Sequence, residues 1–197
     1  VGWLKDLAAA GHPVGNHTYD HVYLLASKPE EIQFRFRRAP WLIRDKTVAQ
    51  VIEENIASTT LALKERCGIT PNGFRTPGGF RDGLKGREDL QKMLLKQGFS
   101  WCSSPYPPHT CGKPKEQPTD AVYADIVKAQ TAAQPFAYPS GLIEVPMSPV
   151  SDVNAFRTHY WKLDWFLKAV RLAVEEATKT GACFDFLAHP SCLVVED

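Results

Sequence analysis

The chain has 197 residues, 44% of them hydrophobic and 23% charged, with a formal charge of +1. That length suits one compact core, so a single domain over residues 1–197 is expected, and the near-neutral balance calls for no nucleic acid and no strongly acidic partner. No apolar run reaches the length of a membrane span, and the opening VGWLKDLAAAG lacks the basic start and apolar core of a signal peptide. The compartment and the oligomeric state stay open.

The elements alternate along the chain. WLKDLAAAG reads as a helix with Trp3, Leu4, Leu7 and Ala8 on one face, ending at Gly11. PVGNH, residues 13–17, reads as a short strand. Residues 22–46 form an insert with FRFRRAPW inside it, whose alternation suggests a surface strand or hairpin. Thr47 and Gln50 make a capping box for a helix that runs to Gly68, with Val48, Val51, Ile52, Ile56, Thr59 and Leu63 at helical spacing. PNGFR then reads as a strand, GREDLQKMLLKQG as a helix and FSWCSS as a strand. Residues 104–140 are a Pro-rich insert with one weaker helical stretch near Asp120–Gln134. WKLDWFLKAVRLAVEEATKTG is a helix with Leu163, Phe166, Leu167, Val170 and Val174 on its face, and FDFLAHP is a last apolar strand. Strands alternating with helices indicate βαβ units and a parallel sheet.

In such folds the chemistry gathers at the carboxyl ends of the strands. His17 and His21 follow the first strand, four residues apart. On a helical turn that spacing puts both imidazoles on one face, where they can share a cation. Gly15 allows close backbone approach, Asp20 is a rival ligand, and His12 reads as structural. Arg75 precedes Pro77, Gly78 and Gly79. Its planar fork suits a carboxylate, and a glycine amide can face a developing oxyanion. His189 closes the last strand as a candidate acid or base, with Asp185 four residues earlier on the same face as its candidate orienting partner. Parallel connections predict that His17, His21, Gly78 and His189 converge on one rim. The aromatic rings of Phe34, Phe36 and Trp41 suit a sugar-stacking groove. Five cysteines, none at CxxC spacing, read as free thiols, with a Cys102–Cys111 bridge as the alternative in an oxidising compartment.

Together these stretches resemble a known family. GHPVGNHTYDH is similar to the G-H-x-x-G-N-H-[ST]-x-x-H stretch of the polysaccharide deacetylases, the nodulation-type carbohydrate esterases. FRTPGG resembles their R-x-P-x-G motif, and DFLAHP resembles their late strand ending in the catalytic histidine. The resemblance implies an α/β fold, a distorted and here incomplete (β/α) barrel. It implies a bound divalent metal, usually zinc, and hydrolysis of N-acetyl or O-acetyl groups on a carbohydrate polymer, at carbon–nitrogen bonds other than peptide bonds in the first case. By position His17 and His21 match the metal ligands, Arg75 the arginine that holds the catalytic base, and His189 the general acid. Gly78 stands where the family commonly has the tyrosine whose amide lines the oxyanion hole, so the amide is kept and the aromatic wall is lost. Pro77, Gly79 and Trp41 are then expected beside the substrate. The family's Asp-Asp pair is absent; Asp152 and Asp164 lie outside its context. The chain is therefore expected to lack the first strands and the C-terminal end of the domain, and to be inactive alone. Two other readings stay open: a metal-poor amidase for a small cyclic ureide, and a glycan-binding relative without activity.

Overall fold

The structure, a computed structural model, describes residues 2–193. It is a mixed α/β fold whose contacts divide it into two compact units. The first takes residues up to Gly79, Leu84–Ser104 and Ala137–Glu144; the second takes Phe80–Gly83, Pro105–Phe136 and Val145 onward.

The first unit opens with α1 (Gly2–Ala9), in which no residue is buried; Trp3 and Leu7 of the expected inner face are exposed. Two short helices follow, α2 (Pro29–Ile32) and α3 (Phe34–Arg38), then a 3-10 turn at Pro40–Ile43. The strand or hairpin expected here is thus helical. Pro29 and Pro40 each start a helical turn, where a missing N–H costs nothing. Phe36 points into the core while Phe34 and Trp41 remain exposed, which breaks up the expected aromatic groove.

Helix α4 (Val48–Cys67) carries the anticipated capping box. The Thr47 hydroxyl accepts from Gln50 N at 3.2 Å, and the Gln50 side chain accepts from Thr47 N at 2.8 Å. Gly68 closes the helix in the left-handed region, φ +71°. Val51, Ile52 and Ile56 are buried together with Asn55. Strand β1 (Gly73–Phe80), helix α5 (Glu88–Lys96) and strand β2 (Trp101–Pro105) come next. Two dipeptide strands, β3 (Phe136–Ala137) and β4 (Ile143–Glu144), complete a four-stranded sheet among the described residues, in the order β1-β2-β4-β3. β2 and β4 run parallel, with Trp101 opposite Ile143 and Cys102 opposite Glu144. Gly73 lies under the indole of Trp101: a Cβ on residue 73 would stand 2.1 Å from the ring. Leu84, Leu90 and Leu94 are buried in this unit, each contributing about 1.5–3 kcal/mol of apolar transfer.

At the end of β4, Glu144 is wholly buried. Its carboxyl accepts from Ser104 N at 2.8 Å, from the Tyr138 hydroxyl at 2.7 Å, from the Ser104 hydroxyl, and from the Cys102 thiol at 3.2 Å. Burial raises its pKa, and the donors offset that only in part. The folded chain therefore keeps a proton that the unfolded chain has already released. Stability is full below the ordinary carboxylate pKa and falls as pH rises towards the raised value. Glu144→Gln removes this titration. Urea midpoints of the variant are expected to be flat across that window where the parent's decline; parallel curves would count against a protonated Glu144.

The second unit is built on α6 (Asp120–Ala132) and α7 (Leu163–Thr180), which pack together. Val122, Tyr123 and Ile126 meet Trp161, Phe166 and Ala169 in its core. The buried stripe of α7 is Phe166, Ala169, Ala173 and Ala177, whereas Leu163, Leu167 and Val174 are exposed. Alanines allow close helix approach, so the contact face is offset from the one the large side chains suggested. A π-helical turn (Val153–Thr158) and the short α8 (Pro190–Leu193) complete the unit. All five cysteines are free thiols. No described helix is long and apolar enough to cross a membrane.

Candidate active site

The first group of candidate residues is assembled by Asn16. PVGNH makes a single parallel bridge, Asn16 to Phe74, instead of a full strand. Asn16 N donates to Gly73 O and Arg75 N to Asn16 O, both at 2.9 Å. The buried Asn16 amide donates to Ile56 O at 2.9 Å and to the Thr60 hydroxyl at 3.0 Å, while its oxygen accepts from Thr18 N at 2.8 Å. Thr18 and His21 both take left-handed backbone, φ +61° and +56°. The segment is therefore a looped turn and not the helical turn expected. The turn nonetheless brings the imidazoles of His17 and His21 together, centroids 5.0 Å apart and near perpendicular.

His17 Nδ1 lies 2.9 Å from Arg75 O. Donation from Nδ1 to that carbonyl puts the lone pair on Nε2, the arrangement common to metal-ligating histidines. Asp20, the rival ligand, has both oxygens engaged: one pairs with Arg35, and the other accepts from Asn55 Nδ2 at 3.0 Å. His17 and His21 line a cleft of about 550 Å³ with Phe34 and Arg38 on its wall, the Arg38 guanidinium lying 5.3 Å over the Phe34 ring. Trp41 is 66% exposed and lies outside that lining. His12 is exposed, with its N–H bonded to Leu7 O at the end of α1.

Arg75 is half-buried on β1. Pro77, Gly78 and Gly79 lie within β1 and not in a turn beyond it. Pro77 is buried and both glycines are exposed. Gly78 has φ +81° with open space where a Cβ would be, so the strand is kinked there and the backbone is accessible.

The second group belongs to the second unit. FDFLAHP pairs at one point, Leu187 with Ser151 in parallel, and Ser148 N donates to Asp185 O at 2.7 Å. This pairing carries Asp152 alongside His189. Asp152 is fully buried, and its Oδ1 lies 2.9 Å from His189 Nδ1. The same carboxylate accepts from Val153 N at 2.8 Å and from His189 N. The carboxylate that orients His189 is thus Asp152, from a separate segment, where the sequence pointed to Asp185. One signal for it was present: Asp152 closes the run LIEVPMSPVSD much as His189 closes FDFLAH.

A buried carboxylate on one imidazole nitrogen, with the side chain 42% exposed, makes a proton-exchanging group. An imidazole pair fixed through a backbone carbonyl offers two nitrogen donors of the kind a divalent cation accepts. The first lies in the second unit and the other in the first unit of the mixed α/β fold.

Residues 2–98 match the polysaccharide deacetylase family. Among solved structures, a candidate polysaccharide deacetylase from Mycobacterium smegmatis superposes over 95% of this chain and 52% of its own, with TM-score 0.57 and 16% identity. The shared fold is an incomplete version of the distorted (β/α) barrel. The chain spans about half the length of that protein. IcaB from Ammonifex degensii is 29% identical over 51% of this chain and 37% of its own, TM-score 0.35. Puue allantoinase is 16% identical over 95% and 48%, TM-score 0.49. No curated protein matches.

Proposed function

We propose that the chain is part of a metal-dependent deacylase that removes N-acetyl or O-acetyl groups from a carbohydrate polymer. The observation that carries this reading is the His17–His21 pair, 5.0 Å apart at a cleft, with His17 fixed through Arg75 O. Two imidazoles are a borderline donor set that suits zinc and leaves positions open for water and substrate. A divalent cation held there would supply Lewis acidity towards the acyl carbonyl.

The chain's own residues do the rest. The Gly78 N–H, unobstructed by a side chain, donates to the developing oxyanion. Pro77 and Gly79 shape the surface against which the acyl group rests. In the second unit Asp152 on Nδ1 holds the His189 tautomer and stabilises its imidazolium, the pairing suited to the proton donor that the resemblance implies. Arg75 orients the base, which the resemblance identifies as an aspartate. Phe34 and Arg38 wall the cleft, in place of the sugar-stacking role expected of Trp41.

His17→Ala and His21→Ala, each made in the intact protein, are expected to remove one equivalent of zinc and the deacetylation of acetylated sugar oligomers. Asp20→Asn should leave that zinc in place, because Arg35 and Asn55 already occupy the carboxylate. Unchanged zinc stoichiometry in both histidine variants would overturn the metal assignment. Turnover of a cyclic ureide without turnover of acetylated sugars would overturn the substrate.

A further inference from the structure

Asp152, His189 and Cys192 each offer one donor atom within 4.8 Å of the other two. Two of the three come from one local device. Cys192 N donates to His189 O at 2.9 Å in the turn that begins α8, so residues three apart face the same side. The third arrives from the segment 148–152 through the Ser151–Leu187 pairing. The carboxylate is held from behind by Val153 N and His189 N. That is the kind of outer support that orients metal ligands. Asp152 and Cys192 are buried, while the His189 side chain is 42% exposed and leaves a way in from solvent.

The donor types narrow the ligand. A carboxylate oxygen, an imidazole nitrogen and a thiolate sulfur make a mixed set that the hard cations magnesium and calcium do not favour. Zinc bonds such donors at about 2.0–2.3 Å, which puts tetrahedral donors roughly 3.5 Å apart. His189 Nδ1 and Asp152 Oδ1 already lie 2.9 Å apart, so their hydrogen bond would open by roughly half an ångström to admit the cation, while the Cys192 thiol lies within 4.8 Å of both.

We propose that Asp152, His189 and Cys192 form a three-ligand site for a thiophilic divalent cation of the zinc class, with water as fourth ligand. On binding, the Cys192 thiol releases its proton to solvent and the cation takes a lone pair of the His189 imidazole. The site involves neither His17 nor His21, so it stands or falls separately from the metal assignment above; it does take the imidazole and carboxylate of the proposed proton donor, so a cation bound there silences that acid.

Cobalt(II) is the probe, because thiolate ligation gives a near-ultraviolet charge-transfer band that imidazole and carboxylate ligation do not. Titration of a His17→Ala/His21→Ala double variant is expected to develop that band to one equivalent, and added zinc should bleach it. Cys192→Ser in the same background should abolish it, and Asp152→Asn should weaken cobalt binding at least tenfold. Cys111→Ser is the control, since Cys111 Sγ lies 3.5 Å from His109 Nε2 and is a rival thiol; it should leave the band intact. X-ray absorption of the cobalt-loaded double variant requires no further substitution and should show one sulfur neighbour. A sulfur-free cobalt shell, no band at one equivalent, or a band that survives Cys192→Ser in a folded protein would each overturn the site.

Discussion

Asp152→Asn is expected to lower the turnover of the intact protein by about 10²–10⁴-fold, with little change in KM. The substitution keeps the shape, and an amide oxygen can still accept from the backbone N–H groups of Val153 and His189. The amide nitrogen then faces His189 Nδ1, where a carboxylate oxygen stood at 2.9 Å. A donor in that place favours the tautomer with its lone pair on Nδ1 and removes the charge that stabilises the imidazolium. The acid is lost although His189 is still present. Nitrogen NMR of the imidazole would report the tautomer independently of the assay. Full turnover with an inverted tautomer would show that His189 is not the proton donor. Asp152→Ala additionally strands two backbone donors, at about 1–3 kcal/mol for each that stays dry.

The largest loss of stability is expected from Asn16→Ala, about 2–4 kcal/mol by urea unfolding. The amide of Asn16 is buried and serves three partners at once: Ile56 O and the Thr60 hydroxyl on α4, and Thr18 N in its own loop. Removing it strands the Thr18 N–H and loosens a turn in which Thr18 and His21 both hold left-handed backbone, a conformation that costs roughly 1–3 kcal/mol per residue and persists only under outside constraint. Cation affinity at His17 and His21 should therefore fall by an order of magnitude or more in a variant that retains both imidazoles. A loss below about 0.5 kcal/mol with unaltered affinity would show that the turn is held by something other than Asn16.

The sequence makes the long helices legible because their signals are local. Thr47, Gln50 and Gly68 announce both ends of α4 within one turn each. The three motif stretches are legible for the same reason, since each is contiguous. What escaped depends on distant partners. FRFR alternates with period two, so it reads as a strand; Phe36 alone turns inward, and the helical choice rests on the prolines at 29 and 40. The inner face of α7 is chosen by alanines that fit against α6, which the larger leucines of the same helix conceal. Asp152 reads as an acid outside the family motifs, because its relation to His189 arises from pairing between segments, with 37 positions between the two residues. Alternation along an extended strand favours Asp185, but a single bridge at Leu187 does not enforce one.

Gly73 and Trp101 share one volume: the indole occupies the place a side chain on residue 73 would need. Their substitution histories are therefore coupled in order as well as in outcome. A larger residue at 73 becomes permissible only after the indole has been lost. Loss of the indole leaves space beside β1 that a gain at 73 can refill, so the path between the two states runs through a less stable intermediate.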